Sequence, residues 1–122
     1  MKRILAVDDN DDILEVLRYI LEDSGYVVDT LADGQYLFDT IKKHTPDLIL
    51  LDIMLGNMDG RKLCKEIKSH EDTRHIPVIM VSASHNIAET IKKDGPDDFV
   101  AKPFDLNVLL NAIQTQLTSA AA

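Results

Sequence analysis

Apolar residues fall into two alternating kinds of run along this chain. Short β-prone runs stand at residues 3–7 (RILAV), 26–31 (YVVDTL), 47–52 (DLILLD), 76–82 (IPVIMVS) and 98–101 (DFVA). Between them the apolar positions recur every three or four residues, the period of a helix with one buried face. The first such stretch is the clearest. Ile13, Leu14, Leu17, Ile20 and Leu21 make one stripe, Asn10 or Asp11 supplies the cap, and Gly25 supplies the stop. A second helix follows Asp33-Gly34, carries Tyr36, Leu37 and Ile41, and ends before Pro46. A third starts near Gly60 with Leu63, Cys64 and Ile67. The fourth, around residues 85–94, has a thin stripe of Ile87, Ala88 and Ile91. Asp105 caps the last, which turns Leu106, Leu109, Leu110, Ile113 and Leu117 inward.

Strands alternating with helices argue an α/β domain with a parallel sheet. The runs ILAV, LILL and VIMV are apolar without interruption, as expected of central strands covered on both faces. YVVDTL is mixed and suits an edge. Right-handed crossovers then place helices on both sides of the sheet.

Composition narrows the function. The 122 residues fit one domain, and 45% hydrophobic with 28% charged residues is the mixture of a globular protein. The net charge of −8 repels phosphate backbones and anionic membrane surfaces, so neither nucleic acid nor membrane is an expected partner. A single cysteine, Cys64, excludes an internal disulfide and reads as core filler on a helix face. The N-terminal residues do not fit a signal peptide, and no apolar run approaches the length of a membrane span. The expected location is the cytoplasm. Residues 119–122 read as a disordered tail or the remnant of a linker.

Ligands of open α/β sheets bind beyond the carboxyl ends of the strands. Here the first strand ends in Asp8 and Asp9, the third in Asp52 and the fourth in Ser82, while Lys102-Pro103 follows the fifth. If the first and third strands are neighbours, three carboxylates converge. Such a cluster needs a counterion, and its all-oxygen donors suit a hard divalent cation, Mg²⁺ or Mn²⁺. Lys102 adds a fixed positive charge and Ser82 a hydroxyl donor. Together these groups suit phosphoryl chemistry, in which a carboxylate can itself be the nucleophile.

The ordered set ILAVDD, LILLD with Gly60 beyond it, VIMVSA and KPF resembles the receiver domain of two-component response regulators, over about residues 2–118. That resemblance implies a flavodoxin-like, doubly wound (βα)5 three-layer sandwich whose five parallel strands run in the order 2-1-3-4-5, with residues 1–118 as the domain. It makes Asp52 the phosphoacceptor. Asp8 and Asp9, with Asp52 and the backbone carbonyl of Met54, would hold Mg²⁺, Asp9 as a direct ligand. Ser82 and Lys102 would bind the phosphoryl group, Phe99 would be the switch aromatic, and the Lys102–Pro103 peptide would be cis. A sensor histidine kinase or histidine phosphotransfer protein would supply the phosphoryl group. The domain would catalyse only its own phosphorylation and dephosphorylation. Its output would pass to an effector protein or domain through the face of the fourth helix, fifth strand and fifth helix. A phosphorylation-dependent homodimer is compatible with that layout.

Plainer readings stand beside these. Asp8-Asp9 could cap a helix, Asp59-Gly60 shapes the loop, and Phe99 is equally read as core filler. His44, His70, His75 and His85 lack metal-ligand spacing and read as surface residues. Gly56 stands where the family usually has proline, which should loosen the loop after Asp52. Pro96 replaces a usual small alanine, and Ser82 the commoner threonine. Two alternative functions use the same fold. One is a phosphate-independent interaction module, which the intact acids and lysine oppose. The other is a Mg²⁺-dependent phosphohydrolase, which needs a second acid where Met54 stands and a cap over its substrate.

Overall fold

The structure, a computed structural model, describes residues 1–83 and 95–121, with side chains through residue 119. The expected fourth helix and His85 lie outside the described residues. Among the described residues, seven strands and four helices follow in order: β1 (Arg3–Val7), α1 (Asp11–Asp23), β2 (Val27–Leu31), α2 (Leu37–Lys43), β3 (Leu48–Leu51), β4 (Met54–Leu55), β5 (Met58–Asp59), α3 (Gly60–Ser69), β6 (Val78–Ser82), β7 (Asp98–Ala101) and α4 (Leu106–Ala121).

Five strands form one parallel sheet in the order β2-β1-β3-β6-β7. With the separate β4–β5 hairpin set aside, this is the expected order 2-1-3-4-5. Side chains alternate between faces along each strand, and the core divides accordingly. On one face Ile4, Ala6, Leu48, Leu50, Ile79 and Val81 pack with Leu14, Leu17 and Leu21 of α1 and Leu109, Ile113 and Leu117 of α4. On the other, Leu5, Val7, Ile49, Leu51, Val78 and Met80 meet Leu37 and Ile41 of α2 and Leu63, Cys64 and Ile67 of α3. Covering both faces explains why β1, β3 and β6 carry uninterrupted apolar runs.

The helix ends are set by local chemistry. Asn10 caps α1, its side-chain oxygen accepting from the amides of Asp12 and Ile13. Past its end, Gly25 adopts φ +93°, a conformation that favours glycine. Asp105 caps α4 through the amides of Asn107 and Val108. α4 continues to Ala121, because its terminal alanines are strong helix formers.

Three local expectations are corrected. Leu106 is 44% exposed, because the first turn of α4 stands past the end of β7. Tyr36 precedes α2 and is exposed, so the apolar face of that helix starts at Leu37. The stretch after Asp52, expected to be a loosened loop, pairs as an antiparallel hairpin, Met54 with Asp59 and Leu55 with Met58. Gly56 opens its two-residue turn at φ +61°, the positive φ that a II′ hairpin turn requires of its first central residue.

Candidate functional site

The register of the sheet assembles the site. Val7 of β1 pairs with Leu51 of β3, so the next residues, Asp8 and Asp52, leave the sheet side by side. The Asp52 amide still donates to the Val7 carbonyl at 3.0 Å, and the Asp8 amide to Leu31 at 3.1 Å. Both residues are anchored as extensions of central strands. At the other side, Ser82 pairs with Ala101, and the Lys102 amide donates to the Ser82 carbonyl at 3.0 Å. The chain then returns through the Lys102–Pro103 peptide, which is cis.

Lys102 lies between two acids. Its Nζ donates to Asp8 Oδ2 at 2.7 Å and to Asp52 Oδ2 at 3.1 Å. Backbone amides hold the remaining oxygen of each acid. Asn10 donates to Asp8 Oδ1 at 2.9 Å, and Met54 donates to Asp52 Oδ1 at 3.3 Å. Asp9, by contrast, is exposed, and its Oδ2 accepts from the Gly56 amide at 3.1 Å.

Burial sets the electrostatics. Asp8 and Asp52 are only 2% and 6% exposed. Burial is the main force raising the Asp52 carboxyl above its usual range. The Lys102 ion pair and the Met54 amide oppose the rise, and the Asp8 charge adds to it. For the Lys102 ammonium, burial works downward, but hydrogen bonds and charge from Asp8 and Asp52 outweigh it, and the net shift is upward.

The donor set fits a hard cation. Asp8, Asp9 and Asp52 each bring a carboxylate oxygen into a group lying within 4.8 Å. One ammonium faces two buried carboxylates and a third at the rim, so the cluster carries excess negative charge. An oxygen-binding divalent ion would neutralise that charge, and no nitrogen or sulfur donor of these residues competes. Met54 contributes its amide to Asp52, while its side chain is 71% exposed and takes no part in the cluster.

Ser82 is buried at the end of β6. Phe99 is half-buried and packs against the core layer of α2 and α3, beside Met80 on the neighbouring strand. His44, His70 and His75 are exposed, with His70 edge-on to Phe38 at 6.1 Å between centroids. Asp59 caps α3, accepting from the Arg61 amide at 2.9 Å, and Arg61 holds its carboxyl below the usual range.

Sequence reasoning passed over the Asn10 amide and the Gly56 amide, and read Gly60 only as a helix start and a loop-shaping residue. The first two act through backbone, which carries no side-chain signature. Gly60 begins α3 directly behind the end of β3. A Cβ there would overlap the Asp52 carbonyl oxygen, and the Gly60 amide donates to Ile53 at 2.6 Å. Gly60→Ala is therefore expected to cost about 2 kcal/mol in urea denaturation, because the obstructing atoms are backbone and cannot rotate aside. Unchanged stability would show that the α3–β3 junction is slack.

The profile of the response regulator receiver domain matches residues 4–114. The chain is 32% identical over 122 residues to the phosphate regulon transcriptional regulatory protein PhoB of Rhizobium meliloti (strain 1021), covering 98% of this chain and 54% of that protein. It is 36% identical over 117 residues to the alkaline phosphatase synthesis transcriptional regulatory protein PhoP of Bacillus subtilis (strain 168), covering 92% and 48%. The chain thus spans about half the length of these curated relatives. The solved receiver domain of a signal transduction histidine kinase from Syntrophus aciditrophicus superposes with a TM-score of 0.89 at 31% identity, covering 98% of this chain and 92% of that one.

Proposed function

The chain belongs to the response regulator receiver domain family of two-component signalling, and from that premise we propose that Asp52 is its phosphoacceptor. One observation carries the reading: Asp8 and Asp52 emerge side by side from paired strands, with Lys102 between them and Asp9 at the rim. In the proposed transfer an Asp52 carboxylate oxygen attacks the phosphorus of a phosphohistidine. The new O–P bond forms as the P–N bond breaks, and the imidazole takes up a proton as it leaves. Lys102 stays within ion-pairing reach of the added charge, and the Ser82 hydroxyl donates to a phosphoryl oxygen. Phe99 responds as the switch aromatic.

Asp8, Asp9, Asp52 and the Met54 carbonyl are the proposed ligands of Mg²⁺, with Mn²⁺ an acceptable substitute. When bound, the ion supplies positive charge to offset the phosphoryl oxygens. The domain catalyses only its own phosphorylation and dephosphorylation. Its partners are a sensor histidine kinase or phosphotransfer protein upstream and an effector protein or domain downstream. No helix among the described residues is long and apolar enough to cross a membrane, and we place the chain in the cytoplasm.

Acetyl phosphate tests this directly. With Mg²⁺ present, intact mass is expected to rise by one phosphoryl group; with excess chelator it is not. No gain with Mg²⁺ would overturn the acceptor reading, and an equal gain with chelator would overturn the metal reading.

A further inference from the structure

We propose that Gly56 is a positioning residue for the cation site, acting through its backbone N–H on Asp9. The Mg²⁺ reading above is its premise. Of the three clustered acids, Asp9 alone is exposed, and no ion pair is formed by it among the described residues. An exposed aspartate samples several rotamers, and fixing one costs entropy at the moment of binding. Here the Gly56 amide holds Oδ2 at 3.1 Å from across 47 residues, leaving the second oxygen available to a ligand.

The glycine itself makes this bond possible. At φ +61° the turn cannot accept proline, whose ring locks φ near −65° and which has no N–H to give. The space around the position is open, since an added Cβ would meet nothing within 4 Å. Glycine is thus required here by backbone conformation and not by crowding. The hairpin strands Met54–Leu55 and Met58–Asp59 fix the amide's direction. They also connect the Asp9 contact to Met54, whose own amide holds Asp52. One hairpin therefore orients a carboxylate from each of two strand ends.

Calorimetric titration of the unphosphorylated chain with magnesium chloride separates the possibilities. Gly56→Pro removes both the N–H and the positive φ; Gly56→Ala strains φ but keeps the N–H. Both are expected to lower thermal stability. Only Gly56→Pro is expected to weaken Mg²⁺ binding, by about tenfold, the usual size of a lost hydrogen bond to a charged group. Gly56→Ala should stay within about twofold. In an Asp9→Ala background, Gly56→Pro should change the affinity no further. Equal affinity of Gly56→Pro and wild type, equal weakening by alanine, or an undiminished effect without Asp9 would each overturn the inference. A wild-type chain that binds no Mg²⁺ would instead overturn the metal reading on which it rests. Amide hydrogen exchange needs no change at position 56. Removing Asp9 is expected to speed exchange at Gly56 about tenfold, and an unchanged rate would refute the contact.

Discussion

Replacing Asp52 by asparagine is expected to abolish the phosphoryl mass gain from acetyl phosphate while leaving the domain folded. An amide is no nucleophile, and among the described residues no other carboxylate is both buried and paired with Lys102 except Asp8, whose Oδ1 is held by Asn10. A gain that persists in Asp52→Asn would sink the assignment of the acceptor. Stability gives a second, independent readout in metal-free buffer. Two effects oppose each other at neutral pH: the mutant loses the 3.1 Å ion pair with Lys102 but no longer buries an ionised group. The net change is expected to stay within about 1 kcal/mol. Its pH dependence has a definite sign. Because burial raises the folded carboxyl above its ordinary value, the native state binds this proton more tightly than the unfolded chain does. Asp52 therefore lowers stability as pH climbs through about 3.9 and up to its folded value. Relative to wild type, Asp52→Asn should gain stability between about pH 3 and neutrality. A difference that moves the opposite way would mean that pairing outweighs burial.

Lys102→Ala should produce the largest loss of stability. It leaves Asp8 and Asp52, at 2% and 6% exposure, without their shared cation. Stranding buried charge costs about 3 kcal/mol or more, to be read from urea denaturation at neutral pH without metal. Added Mg²⁺ should recover part of the loss. The deficit should also narrow toward both ends of the pH scale. In acid, protonation of Asp52 removes the stranded charge. In alkali, the wild-type advantage fades, since the raised pKa of Lys102 contributes stability below the unfolded value of about 10.4 and loses it above the folded one. A deficit below about 0.5 kcal/mol at neutral pH would show that the pair behaves as a solvated surface contact.

The sheet was legible because burial leaves a strong compositional mark. β1, β3 and β6 are covered twice, so their residues are apolar without interruption, whereas β2 at the edge admits Asp29 and Thr30. The acids were legible for the complementary reason: a charge directly after such a run has to be compensated. The β4–β5 hairpin was not legible, since two-residue arms carry no periodicity, and GN between them resembles any loop. Gly56 was read as slack because glycine widens backbone freedom in isolation. In place, its positive φ directs an amide toward Asp9. Leu106 fits the helical stripe on paper, but the stripe takes no account of where the supporting strand stops.

The main chain of Asp52 is held on both sides of its Cα. Its amide is tied into the ladder with β1, and its carbonyl is pressed against Gly60 at the head of α3. It behaves like an anvil set in masonry: extra charge delivered there finds no give in the main chain beneath. Any adjustment would fall to the facing side chain of Lys102 rather than to this backbone.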